Sequence, residues 1–380
     1  MSKKKIQFNI PYVGRAEAAA AERAVTALKI VGNGSLGQRA ESMLRDIFKV
    51  KHALLTTSCT HALELAMMSI GVKPGDEVIC PSFTFVSTAN AIVRQGARPV
   101  FAEIKEETLN IDIDDMKKRI TSRTRAVIPV HYAGISCDMD EIMDIARRHK
   151  LAVIEDAAHA IGAKYRSKFL GTIGHIGCFS FHATKNITSG EGGAFLTSHE
   201  EYYKKAEIAR EKGTNRAAYL KGEIDKYSWV SEGSSYVLSD VSAAILIEQL
   251  KKIGEITRRR KEIFDYYLKE FRSLSDSGKV ALPEIGDEDE INGHIFYLRL
   301  PTEKKRDECI AKLRAKGVEA TFHFIPLHTS PYGRRVLRYR KGDFPVTEKA
   351  AKTLLRLPIY PQLSNREMDF IIDSVKEILL

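Results

Sequence analysis

The sequence predicts an α/β protein with a large domain on a mostly parallel central sheet and a smaller α/β domain at the C-terminal end. Three observations carry that prediction. Short β-rich apolar runs alternate with helical patterns between residues 52 and 200, the rhythm of strands joined by crossover helices. The chain has 380 residues, more than one simple domain commonly holds. Its 44% hydrophobic and 28% charged residues are the proportions of a globular chain able to bury a sizeable core.

Taken in order, the strand runs are 53–56, 77–80, 99–101, 126–130, 151–154, 177–181 and 193–197. Between two of them, Met139, Ile142, Met143 and Ala146 recur at helical spacing, which gives a crossover helix one apolar face to lay on the sheet. Segment 282–293, with a proline, two glycines and the acidic run DEDE, reads as an exposed loop. After it come the strand-like HIFYLRL, a helix near 307–316 and a strand at 318–324. The expected division is a large domain over 1–254 and a small one over 255–380, with the first 25 or so residues packing on the small domain. There is no internal repeat or low-complexity tract.

Composition excludes several classes. No apolar run approaches the roughly 18 residues that span a bilayer. The N-terminal MSKKKIQFNIPYVG lacks the apolar stretch of a secretory signal, so cytoplasm is expected. The five cysteines, Cys59, Cys80, Cys137, Cys178 and Cys309, are odd in number and form no CxxC pair, which speaks against a disulfide framework and a zinc site. The formal charge of +10 gathers in basic clusters at 3–5, 258–261 and 334–341. Each is short, so solvated faces are expected rather than a nucleic-acid surface; a phosphorylated substrate fits the same surplus.

Four motifs bear on chemistry. Gly32, Gly34 and Gly37 in GNGSLG satisfy GxGxxG, but the helical pattern AERAVTALKIV precedes them where a dinucleotide fold needs a strand; a flexible connection between domains is expected instead. TTSCTHALELAMMSIG (56–71) passes from a strand into a helix through small hydroxyl residues, which suits either an anion at the free backbone N–H groups or simple capping by Ser58 or Thr60. LAVIEDAAHAIG (151–162) puts two carboxylates at the end of a buried strand. There Asp156 serves either as a helix cap or as a partner for a cationic ligand group at the carboxyl edge of the sheet. FSFHATKNITSGEGG (179–193) places Lys185 between two strand runs, beside a glycine cluster. A desolvated lysine, an acid and an anion site are together what a pyridoxal phosphate enzyme requires for its Schiff base, pyridine nitrogen and phosphate.

In the stretches PGDEVICPSFTFVSTANA, PVHYAG, VIEDAAHAIGAKY, GTIGHIGCFSFHATKN, GEGGA, EKGTNR and IPLH, spread over nearly the whole chain, the sequence resembles the nucleotide-sugar aminotransferases, a fold-type I pyridoxal phosphate family. TTSCTHALE, HYAGISCDMD, DKYSW and GSSYVLSD narrow the likeness to transaminases of TDP-4-oxo-6-deoxy-D-glucose. The resemblance implies a homodimer with shared active sites, a nucleotide-sugar acceptor and L-glutamate as donor. It implies Lys185 as the Schiff-base lysine, Asp156 as the partner of the pyridine nitrogen and Phe85 as the ring stacked on the cofactor. Thr60 and His61 would contact the phosphate through backbone and hydroxyl, Ser180 would add its hydroxyl, and His159 would lie near the oxygen face of the cofactor. His328 in IPLH and Trp229 after DKYS would line the sugar site. Lys212 and Arg216 in EKGTNR suit either a grip on the pyrophosphate or plain surface solvation. Many relatives carry G-Y-N-Y-R where this chain has Gly233, Ser234, Ser235, Tyr236 and Val237, so Ser235 stands where an asparagine reaches the neighbouring phosphate. Dehydratases of similar sugars have histidine in place of the lysine, and Lys185 argues against that activity.

Overall fold

The computed structural model describes residues 5–380; Lys3 and Lys4 of the first basic cluster lie outside them. Helices α1 (Arg15–Thr26) and α2 (Ser35–Phe48) precede the sheet. Strands and helices then alternate: β1 (His52–Thr56), α3 (Cys59–Ile70), β2 (Glu77–Pro81), α4 (Val86–Val93), β3 (Arg98–Ala102), α5 (Ile113–Lys118), β4 (Thr124–Val127), α6 (Met139–His149) and β5 (Ala152–Asp156). A short hairpin, β6 (Lys164–Tyr165) and β7 (Lys168–Phe169), leads to β8 (Ile176–Ser180) and β9 (Gly193–Thr197). Among the described residues the central sheet has seven strands in the order β1-β9-β8-β5-β4-β2-β3. Strand β9 runs antiparallel to both neighbours, and the other pairings are parallel. Strands β2, β5, β8 and β9 are buried throughout, as expected of a sheet covered on both faces.

Helix α6 shows how local sequence sets an element. Asp138 caps its start by accepting from the Glu141 N–H, and Met139, Ile142, Ile145 and Ala146 face the sheet while Lys150 ends it in a left-handed conformation. Met143 is only half-buried, so the stripe runs through Ile145 instead.

Helices α7 (Glu200–Arg210), α8 (Arg216–Leu220), α9 (Asp240–Lys251) and the long α10 (Ile253–Asp276) follow. Beyond them lie β10 (Asp289–Glu290), β11 (Phe296–Arg299), α11 (Glu303–Ala315), α12 (Pro331–Arg335), α13 (Pro345–Thr353), β12 (Leu354–Leu357) and α14 (Asn365–Leu379). Strands β11 and β12 pair antiparallel over a core that includes Phe264, Tyr267, Phe271, Phe296 and Ile371. Residue Ile6 bridges Val318, and the Phe8 N–H donates to Glu319, so the start of the chain lies on the C-terminal part. Helix α1 departs from that expectation and packs through Ala20 and Ala24 on Ala244 of α9.

Three local expectations are corrected. Segment 318–324 is not a strand; Val318 and Thr321 make isolated bridges to Ile6 and Arg356. Strand β4 stops at Val127, and Pro129, which has no N–H to donate, follows two residues later. The GNGSLG segment is not a flexible connection. Gly34 caps α2, and the Leu36 and Gly37 N–H groups donate to the Asp240 carboxylate at 3.2 and 2.8 Å. A Cβ on Gly34 would lie 2.3 Å from that carboxylate, so glycine permits the close approach.

Candidate active site

The carboxyl ends of β1, β5 and β8 open onto a cavity of about 560 Å³. Six of the residues expected there line it: Thr60, Phe85, Asp156, His159, Ser180 and Lys185. A parallel sheet puts strand ends and the following loops on one edge, which is how residues more than 120 positions apart converge.

Lys185 lies in a turn after β8, its N–H donating to the His182 carbonyl at 2.9 Å. Among the described residues its Nζ has neither a hydrogen bond nor an ion pair, and burial pushes its pKa down from 10.5 to about 8, against the opposing pull of Asp156. An amine held this way is neutral often enough near pH 8 to act as a nucleophile or base.

Asp156 ends β5. Thr88 Oγ1 donates to its Oδ2 at 2.7 Å and the Ala158 N–H to its Oδ1 at 3.3 Å. Burial raises its pKa despite these donors, so a cationic group facing it would meet a carboxylate short of solvation. The neighbouring Glu155 faces the other way. It accepts from His131 Nε2 and from the Gly171, Ile173 and Gly174 amides, and thereby ties down the loop before β8.

Ser58 caps α3 by accepting from the His61 N–H at 3.2 Å. Capping does not exhaust the helix end. Among the described residues the Cys59 and Thr60 N–H groups remain without an acceptor, both residues line the cavity, and Thr60 Oγ1 pairs with Ser87 Oγ at 2.7 Å. A helix N-terminus with two free amides and hydroxyls beside it suits a phosphate. Ser180 at the end of β8 stands on the same cavity wall.

Phe85 is 59% exposed at the start of α4 and lines the cavity, which leaves its ring available to a flat ligand. His159 Nδ1 is buried with no partner, and burial with the nearby Lys185 charge holds its pKa well below the usual histidine range. The open amine, the orphaned imidazole nitrogen, the free amides and the exposed ring all face one volume, so these residues fit pyridoxal phosphate.

Four expected residues lie elsewhere. The His61 ring turns from the cavity to Thr57 and to Tyr236, whose ring centroid is 4.6 Å away. His328 does not line this cavity. It is fully covered, pairs with Ser82 Oγ at 2.7 Å and with Glu348 at 3.1 Å, and packs on Phe344. Trp229 is 80% exposed and donates to the Ser231 carbonyl. Ser235 is also exposed, bridging Glu211. Neither Trp229 nor Ser235 lines the cavity of its own chain. Arg216 lies 3.6 Å from Glu211. In the middle basic cluster Arg260 is buried against the Gly293 and His294 carbonyls, while Arg258, Arg259 and Lys261 pair with Glu262 or Asp265.

The C-terminal part adds residues that the sequence reading missed. His294, His323, Phe324 and Arg356 close the cavity. His323 bonds Tyr132 at 2.7 Å, His294 bonds Asn186 at 2.8 Å, and Phe324 lies parallel to His159. The only local signal was a histidine or arginine inside an otherwise apolar strand pattern.

A family model for the DegT/DnrJ/EryC1/StrS aminotransferase family matches residues 12–376. The uncharacterized protein MJ1066 of Methanocaldococcus jannaschii is 41% identical over 89% of each chain. The spore coat polysaccharide biosynthesis protein SpsC of Bacillus subtilis is 36% identical over 98% of this chain and 97% of its own. Among solved structures, the PLP form of the sugar aminotransferase Spr1654 from Streptococcus pneumoniae superposes with a TM-score of 0.91 at 26% identity, over 99% of this chain and 98% of that one. On this geometry and these matches, the chain belongs to the DegT/DnrJ/EryC1/StrS aminotransferase family and is a pyridoxal phosphate-dependent sugar aminotransferase.

Proposed function

We propose that the protein transfers the amino group of L-glutamate to C4 of TDP-4-oxo-6-deoxy-D-glucose, giving TDP-4-amino-4,6-dideoxy-D-galactose and 2-oxoglutarate. The observation that carries the transamination is Lys185, an unpaired amine with its pKa near 8 inside a cavity that also holds Asp156 and the free α3 amides. The choice of sugar rests on the GSSYVLSD and DKYSW segments, and the amino-sugar setting is supported by the likeness to a polysaccharide biosynthesis protein.

The Cys59 and Thr60 amides, with Ser180, would hold the phosphate, Phe85 would cover the ring, and Asp156 would keep a proton on the ring nitrogen. Bound there, pyridoxal phosphate supplies an electron sink for the pair left when the donor carbon loses its proton. Lys185 then has two tasks: its amine anchors the cofactor between turnovers, and once displaced it carries the proton away from the donor carbon. In the second half of the cycle Lys185 returns a proton to C4 of the sugar. The face from which it does so sets whether the new amine is axial. Phe85, Phe324 and the three histidines exclude water from these transfers.

The same reading makes the enzyme a cytoplasmic homodimer divided into domains near residue 254. Five free, buried cysteines support a reducing compartment. No helix among the described residues is long and apolar enough to cross a membrane. Exposed Tyr227, Trp229 and Val230 on one segment support an interface there, through which Trp229 and Ser235 would reach the partner's site. The test is an assay of purified protein with L-glutamate and a panel of oxo-sugar nucleotides, followed by NMR of the product. An axial C4 amine on the TDP sugar is expected. An equatorial C4 amine, a C3 amine or no reaction with this nucleotide would overturn the substrate assignment.

A further inference from the structure

In two of the three basic clusters of the sequence the described residues have partners. Lys5 pairs with Glu319, and the residues at 258–261 are ion-paired or tied to backbone carbonyls. The third cluster differs. Arg334, Arg335, Arg338, Arg340 and Lys341 line a cavity of about 570 Å³ that shares no residue with the one that Lys185 lines. Among the described residues none of these five side chains makes an ion pair, and their one side-chain hydrogen bond runs from Arg335 Nε to the Pro331 carbonyl at 3.4 Å. The two acids of the same stretch are engaged: Asp343 accepts from the Arg340 N–H at 2.7 Å, and Glu348 pairs with His328 at 3.1 Å.

The backbone under these cations is anchored to the edge strand β3. The Tyr339 hydroxyl accepts from the Phe101 N–H at 3.0 Å, Arg98 donates to the Leu337 carbonyl at 3.0 Å, and the buried Phe344 ring lies 5.8 Å from that of Tyr339. Between Leu337 and Tyr339, Arg338 has a φ of 67°, a left-handed conformation uncommon for a residue with a Cβ and kept where the surroundings impose it. The chain therefore holds a fixed concave frame with mobile cationic arms.

Like charges around one concavity repel, and the cleft focuses their field. A multivalent anion relieves that repulsion, whereas one carboxylate offsets a single charge. Four of the five cations are arginines, whose planar forks match phosphate oxygens in pairs. The volume falls in the range of small-ligand sites, about 300 to 1,000 Å³. Nucleic acid fits less well, because a duplex spreads its charge along its length and the other basic clusters are already paired.

We propose that the cavity at 334–341 binds a compact polyphosphate, either inorganic or the phosphate chain of a nucleotide, at a site separate from the catalytic cavity. The proposal does not rest on which sugar is the acceptor.

The test uses the enzyme loaded with pyridoxal phosphate, which occupies the α3 amides, titrated by calorimetry with tripolyphosphate, pyrophosphate and orthophosphate in about 150 mM salt. One site per chain is expected, with affinity falling in that order. Arg334→Gln, Arg338→Gln and Arg340→Gln should each weaken tripolyphosphate about tenfold or more. Arg258→Gln, an equal loss of charge elsewhere, should stay within about twofold. A nucleoside triphosphate that binds as tightly as tripolyphosphate, and loses as much in the three variants, shows that the phosphate chain alone is read; tighter binding with the same loss adds the nucleoside. Absence of tripolyphosphate binding would overturn the proposal, as would unchanged affinity in the three variants or the same loss in Arg258→Gln, which would mark an adventitious effect of net charge. Capture of duplex DNA without polyphosphate would overturn it too. A raised KM for the sugar nucleotide in the three variants would assign the cluster to the substrate's path and refute a separate site.

Discussion

Lys185 should titrate near pH 8 in the cofactor-free protein, and its reactivity should show it. An ordinary lysine with a pKa of 10.5 is neutral in about one molecule per thousand at pH 7.5, whereas at about 8 the neutral fraction is about a quarter. Reaction with an amine-directed reagent, read by mass spectrometry of the Lys185 peptide, should therefore rise to a plateau between pH 7 and 9. Surface lysines should still be climbing at pH 10. The charges around Lys185 give the profile a signature. Asp156 raises its pKa and Arg356 lowers it, so Asp156→Asn should move the midpoint down and Arg356→Gln should move it up. The same displacement bears on stability. The folded protein holds this proton less tightly than the unfolded chain, so the penalty is fully present below pH 8 and fades as pH rises toward 10.5. The drop from 10.5 to about 8 corresponds to about 3 kcal/mol, and Lys185→Met should stabilise the cofactor-free protein at pH 7 by up to that amount. A midpoint at pH 10 or above, insensitive to both variants, would refute the reasoning.

Other outcomes follow from single contacts. Asp156→Asn should retain some cofactor but lose activity by about 100-fold or more, since an amide cannot hold the ring nitrogen protonated; near-normal turnover would contradict its role. His328→Ala removes bonds to Ser82 and Glu348 and should cost about 2 to 3 kcal/mol in urea unfolding. A stable variant with a weakened sugar KM would return His328 to the substrate site. Sedimentation at assay concentration should show a dimer, weakened by Trp229→Ala, and an active monomer would argue against shared sites.

How much was legible depends on how local the cause was. Strand ends in an α/β sheet announce themselves as apolar runs followed by small or polar residues, and so Asp156, Lys185 and the turn that holds Thr60 could be placed on one edge, whereas Ser180 came from the family resemblance alone. His61 shows where that reasoning was too coarse. It follows Thr60 by one residue, and one step along a helix turns a side chain by about 100°, enough to send it to Tyr236 instead of the cavity. His328 is buried away from the cavity and Arg356 lines it for a reason no local pattern carries. The partner of His328 is Ser82, 246 residues away, which buries it. Arg356 sits in an apolar strand, and only the docking of the C-terminal part brings it to the cavity that Lys185 lines. Asp240 is a similar case, since it anchors Leu36 and Gly37 from some 200 residues away and turns an apparent linker into a helix start.

The central claim is that Lys185 is the lysine that carries the cofactor. Reducing the pyridoxal phosphate-loaded protein with borohydride fixes the cofactor wherever it is attached, and peptide mass mapping then finds it. The account predicts the added mass on the peptide containing Lys185 and its absence in Lys185→Ala. Cofactor fixed to a different lysine, or the same labelling in Lys185→Ala, would contradict it.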